Sequence, residues 1–111
     1  MTEAKIEAWL GKQLKAIGCL YFKFVSPGND GVPDRIVIPP GGRVLFLELK
    51  AEDGKLSPLQ LHQVNRLRAQ GCDVRLAYGM DGAEALAKEI KEHARLHAAL
   101  KNLSHKEVMP K

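Results

Sequence analysis

The 111-residue sequence has little cysteine, few aromatics and no long apolar run, and each shortage closes off a class of protein. Two cysteines, Cys19 and Cys72, cannot build a disulfide framework and are too few for a zinc site. That points to a reducing, intracellular compartment, and so to a cytoplasmic protein. An uncharged apolar run such as Val44–Leu47 is far short of the ~20 residues a membrane helix needs. The opening Met1-Thr2-Glu3-Ala4-Lys5 lacks the basic-then-apolar order of a signal peptide. With aromatics at 5% there is no stacking array for bases, and no recognition-helix signature is visible. Neither sign of charge dominates: 17 Lys+Arg stand against 13 Asp+Glu, a formal +4. A pI near 9.2 permits nucleic-acid binding. A mildly basic, solvated surface accounts for the same number.

What is present fits one domain. At 45% hydrophobic and 27% charged the composition is that of an ordinary globular chain. The length supports one core and leaves no room for a second. The expected boundaries are a single domain over 1–103 and a polar tail over 104–111. Ile6, Leu10, Leu14 and Ile17 form an apolar stripe that predicts a helix over 3–17, with Thr2 as N-cap and Gly18 ending it. Leu20–Val25, aromatic and branched, predicts a strand. Ser26-Pro27-Gly28-Asn29-Asp30-Gly31-Val32-Pro33 is a loop by every turn signal. Strands over 34–39 and 43–50 flank a Pro40-Gly41-Gly42 turn. Ser57-Pro58 starts a helix that runs to about Gln70, with Leu59, Val64 and Leu67 inward and Gly71 ending it. Asp73–Tyr78 alternates as a strand, and Gly82 to about Leu103 is helical. The order α-β-β-β-α-β-α predicts an α/β fold with a central mixed sheet flanked by helices.

A three-residue hairpin loop sets Asp34 opposite Glu48, Ile36 opposite Phe46 and Ile38 opposite Val44. Side chains alternate along strands, so Asp34, Glu48 and Lys50 share one face. The other face carries Val37, Leu45, Leu47 and Leu49, which predicts a sheet covered on both sides. Like charges directly across two strands are destabilising, so something should offset the Asp34–Glu48 repulsion. Two carboxylates aimed at one point suit a hard divalent cation such as Mg²⁺ or Mn²⁺, with the Leu49 carbonyl as a further oxygen donor. A lysine beside them can orient a water or offset charge developing on a phosphate oxygen. The competing reading is three solvated charges at strand ends, since Glu-x-Lys alone is a common pattern.

Gly31-Val32-Pro33-Asp34-Arg35, Phe46-Leu47-Glu48-Leu49-Lys50-Ala51 and the later Gln60 resemble the VRR-NUC domain, a branch of the PD-(D/E)XK nuclease superfamily. The likeness extends through Lys23–Asp30 and Leu67–Gly71, covers roughly residues 3–80, and is closer to stand-alone phage and bacterial members. It implies a restriction-endonuclease-like core in which Asp34 and Glu48 bind metal while Lys50 and Gln60 serve the catalytic centre. It also implies a glutamate from the first helix. Glu7 is preferred there because Ile6-Glu7 matches the family's pair, and Glu3, one turn away on the same face, is the alternative. Lys23, Ser26 and Asn29 fall where the resemblance implies DNA contact, although Lys23 also reads as an exposed charge between Phe22 and Phe24. Gln60 likewise reads as a plain surface glutamine.

Arg35 and Arg43 fall on the opposite hairpin face, toward helix or solvent. His93 and His97 have i, i+4 spacing but no acidic or cysteine partner to complete a metal site. Cys19 and Cys72 read as small buried residues. The expected function is a Mg²⁺- or Mn²⁺-dependent DNA endonuclease. By resemblance it acts as a homodimer on branched or four-way-junction DNA in a bacterial or phage-infected cell. The competing expectations are a non-catalytic DNA-binding module, or an accessory subunit needing a replication or repair partner.

Overall fold

The structure, a computed structural model, describes the chain from Met1 to Val108, with side chains from Met1 to Leu103. Seven elements follow in chain order: α1 (Glu3–Ile17), β1 (Leu20–Lys23), β2 (Arg35–Ile38), β3 (Leu45–Lys50), α2 (Pro58–Ala69), β4 (Asp73–Tyr78) and α3 (Gly79–Val108). This is the α-β-β-β-α-β-α order that the sequence predicts. The four strands form one sheet in the order β1-β2-β3-β4, antiparallel across β1-β2 and β2-β3 and parallel across β3-β4.

α1 forms where its stripe and caps say it should. The Thr2 hydroxyl accepts from the Lys5 N–H at 3.2 Å, and Gly18 closes the helix at φ 102°. Ile6, Leu10 and Leu14 are almost fully buried. They pack with Ala83, Leu86 and Ile90 of α3 against Val37, Leu45, Leu47, Leu49 and Ala77 of the sheet. Burial of each large side chain contributes roughly 1.5–3 kcal/mol relative to exposure. α2 covers the other face, where Val64 and Val74 are buried outside that main core.

Both hairpin strands are shorter than expected. Pro39 and Pro40 carry no backbone N–H for a ladder, so pairing stops before the turn. α3 starts earlier than the expected Gly82. That glycine lies inside the helix, where a Cβ would come within 3.2 Å of the Ala77 carbonyl carbon. It marks a close approach between α3 and β4 rather than a helix start. α3 also carries the first residues of the segment expected as a polar tail, and 109–111 lie outside the described residues. No helix among the described residues is long and apolar enough to cross a membrane.

Candidate active site

The β2-β3 ladder pairs Arg35 with Leu47, Ile36 with Phe46 and Val37 with Leu45. This is the register expected from the turn. Continued by one residue past the ladder, it aligns Asp34 with Glu48. Asp34 and Glu48 each lie two residues from the Ile36–Phe46 pair, so they share its face, the α2 side of the sheet.

Glu48 is only 6% exposed, an uncommon position for a carboxylate. Burial pushes its pKa up to about 7, and the charge of Asp34 pushes the same way. Lys50 opposes this from 3.7 Å, Nζ to Oε2, and Glu3 adds a smaller upward push. Asp34 itself is exposed at the mouth of the site. Leu49, between Glu48 and Lys50, turns its side chain into the opposite face of the sheet and is 4% exposed.

The two α1 glutamates part company. Glu7 is ion-paired with Arg35, whose guanidinium lies 5.3 Å from the centre of the Tyr21 ring. Arg35 pairs with Leu47, a residue of the main core, so the preferred Glu7 is engaged on the α1 side of the sheet. Glu3 is the α1 carboxylate whose charge reaches Glu48. Arg43 pairs with Asp73 at 2.7 Å, in a network with Arg75 and Glu89 at the far end of the sheet. Both arginines therefore meet structural partners, away from the carboxylates.

The loop over 24–34 is fastened at several points. The Phe24 N–H donates to the Asp34 carbonyl at 2.8 Å, and Asn29 Nδ2 donates to Ser26 Oγ at 3.0 Å. Gly31 sits at φ 89° against α2, where a Cβ would fall 2.8 Å from the carbonyl carbon and oxygen of Leu59. Gln63, 7% exposed, donates from Nε2 to the Asp30 carbonyl at 3.1 Å and accepts from Arg66 at 3.2 Å. It holds the loop that delivers Asp34, and its sequence position gave no sign of this because a glutamine on a helix reads as solvated. Leu59, expected inward, is instead 47% exposed. The inward place falls to Gln63.

Gln60 lies on the first turn of α2, and its Oε1 accepts from the Ser57 N–H at 2.9 Å while Ser57 Oγ accepts from the Gln60 N–H. Ser57-Pro58-Leu59-Gln60 has the S-x-x-Q spacing of this capping box, a signal present in the sequence. The box uses the amide oxygen and leaves the amide N–H groups free to donate. Lys23 pairs with Arg35, so the register sets it on the α1 side, across the sheet from Asp34 and Glu48. Ser26 and Asn29 border a cleft against α2.

A cation fits part of this donor set. A buried carboxylate disfavoured by desolvation and by a like neighbour gains most from a bound positive charge. No group of three or more His, Cys, Asp or Glu side chains able to hold a metal occurs among the described residues; Asp34 and Glu48 are a pair of carboxylates on one face of the sheet. His93 and His97 belong to no such group, and His97 packs against Gly41.

Residues 7–81 match the VRR-NUC domain family. A curated relative named "Putative nuclease p44", from Acyrthosiphon pisum secondary endosymbiont phage 1, is 46% identical over 74 residues. The match spans 67% of this chain and 80% of that protein. A solved structure described as a VRR_NUC domain aligns with a TM-score of 0.73 at 30% identity, covering 79% of this chain and 97% of that one. A second, described as a VRR_NUC domain protein, aligns at 0.62 and 15% identity over 81% and 88% of the two chains, a likeness of fold.

Proposed function

The chain belongs to the VRR-NUC family of nuclease domains, and from that premise we propose that it hydrolyses DNA phosphodiester bonds with Mg²⁺ or Mn²⁺ held by Asp34 and Glu48. The observation that carries this is Glu48, its pKa raised by burial and then by Asp34, and flanked by Lys50 at 3.7 Å. Such a carboxylate is costly to the fold without a cation and well placed to take one.

A bound divalent cation supplies charge neutralisation at the phosphate and lowers the pKa of an attacking water. Of the two α1 carboxylates, Glu3 is the one whose charge reaches the pair while Glu7 is engaged by Arg35, and the Leu49 carbonyl is a candidate further donor. Lys50 donates from Nζ to a nonbridging oxygen of the phosphate under attack and offsets the charge growing there. The free amide N–H groups of Gln60 donate to the same phosphate or to water. Ser26 and Asn29 meet the DNA backbone on the carboxylate side, while Lys23, on the opposite face of the edge strand β1, meets it only beyond that edge.

The substrate we propose is branched or four-way-junction DNA, cut by a homodimer. One domain of this size holds one site, whereas paired symmetric nicks need two, which a two-fold dimer provides. The setting is a bacterial or phage-infected cell, with a replication or repair protein as a candidate partner.

The test is cleavage of a plasmid and a panel of flap, splayed and four-way substrates with Mg²⁺ or Mn²⁺. Wild type should cut, while Glu48→Gln and Lys50→Ala should each lose at least about a hundredfold in rate. Equal cutting by all three proteins would remove the assignment. Binding without cutting on any substrate would leave a non-catalytic module.

A further inference from the structure

The loop that carries Ser26 and Asn29 closes a cleft of about 400 Å³ against α2, bordered by Phe24, Val32, Gln63, Arg66 and Gln70. We infer that this cleft receives one unpaired nucleobase of the DNA strand lying across Asp34 and Glu48. The inference rests on the nuclease reading for its ligand and goes beyond it in naming a base-binding site.

Position comes first. The Phe24 N–H donates to the Asp34 carbonyl at 2.8 Å, so one wall of the cleft is bonded to the residue at the mouth of the carboxylate site. A strand with a phosphate at Asp34 has a neighbouring nucleotide within reach of this wall.

Size follows. The volume is at the small end of the ~300–1,000 Å³ typical of ligand pockets. It is large enough for a single base with part of its sugar.

The lining suits a base rather than a bare anion. Phe24 is half-buried and held edge-on by Phe46, ring centres 5.5 Å apart at 64°, so its ring is fixed before any base arrives. Stacking on such a ring tolerates any base identity. Asn29 spends its Nδ2 on Ser26 Oγ, which leaves its Oδ1 to accept from a base edge. The Gln70 side chain is exposed at the rim. Arg66 holds Gln63 with one guanidinium nitrogen and keeps others for a sugar or phosphate oxygen. Gln63, buried and bonded to the Asp30 carbonyl, keeps the wall in place.

A base in duplex DNA is stacked and paired, and removing it costs a few kcal/mol. A base in a flap, a splayed arm or a junction is already free. The cleft therefore makes this one domain selective for unpaired DNA without a separate reading module.

The test is binding in EDTA, where no cleavage occurs, to a duplex and to the same duplex carrying one unpaired 2-aminopurine. Wild type should prefer the unpaired site about tenfold, given ~1–3 kcal/mol per stacked base. Its binding should also change the 2-aminopurine emission. Ala69→Trp, which fills the cleft from an exposed position on α2, should bring the ratio near one at an unchanged melting midpoint. Gln70→Leu should lower the ratio to a lesser degree. A wild type without preference, or an Ala69→Trp protein that keeps it, would overturn the inference. Loss of the ratio while cleavage persists sinks the cleft alone, whereas a sound ratio without metal-dependent cleavage keeps the cleft and sinks the nuclease reading.

Discussion

Glu48 concentrates the conflict between stability and chemistry. Its side chain is buried on a central strand, and burial, with Asp34 next, raises its pKa from 4.5 to about 7. The folded state thus holds this proton more tightly than the unfolded chain. Below about pH 4.5 both states are protonated and nothing is lost. Between that point and pH 7 stability falls as pH rises, and above pH 7 the full cost applies, of order 3 kcal/mol from that interval. Glu48→Gln has no such proton to lose. Metal-free Glu48→Gln should match wild type in thermal stability near pH 4.5 and exceed it by several degrees at pH 8. Adding Mn²⁺ should raise the wild-type midpoint and leave the variant where it was. A variant less stable than wild type at pH 8 without metal would show that the carboxylate is satisfied by something other than a cation.

At the scale of elements, the site depends on how the loop over 26–33 is seated on α2. Gly31 reports on that seat, because a Cβ there meets both a left-handed backbone and the Leu59 main chain at 2.8 Å. Gly28 is the matched control, at φ 80° with nothing within 4 Å. Gly28→Ala should cost only the conformational part, about 1 kcal/mol. Gly31→Ala should cost about 2–3 kcal/mol and should also weaken Mn²⁺ binding, read by calorimetry, since Asp34 moves with the loop. Equal costs at the two positions would mean the loop is not held by α2. Much of this architecture was legible in the sequence. Caps and stripe set α1, alternation set β4, and the hairpin register that aligns Asp34 with Glu48 followed from loop length and side-chain parity. The rest depended on tertiary contacts with no local signature. Gly82 reads as a helix boundary but serves a close approach to β4, and Gln63 reads as solvent-facing but is buried holding a carbonyl. The ion pair that engages Glu7 likewise has no local signature, since Arg35 lies on a strand 28 residues beyond it in sequence.

Across the whole molecule, the formal +4 is unevenly spread. Arg35, Arg43, Arg75 and Arg95 are paired with Glu7, Asp73, Glu89 and Glu92. α3 runs from the end of the sheet that carries the carboxylates, where Tyr78 pairs with Lys50, to the far end, where His97 packs on Gly41. Its exposed Leu96, Leu100 and Leu103 therefore lie remote from the carboxylates. At the carboxylate end, the charges of Asp34 and Glu3 add to that of Glu48 while Lys50 opposes them, so above about pH 7 this end is locally negative inside a positive protein. A phosphodiester strand approaching it is attracted by the body and repelled at its centre. Each carboxylate near a phosphate costs roughly 1 kcal/mol at short range in a wet site. Asp34→Asn/Glu48→Gln removes two of them. In EDTA and about 50 mM salt at pH 8, where Glu48 is ionised, this variant should bind a DNA duplex roughly tenfold more tightly than wild type. The gap should narrow toward 200 mM salt as screening shortens the reach of the charges. Mn²⁺ should close it from the other side by tightening wild type alone. Identical affinities in EDTA would mean that DNA does not approach this face, and the carboxylate pair would lose its claim to the scissile phosphate.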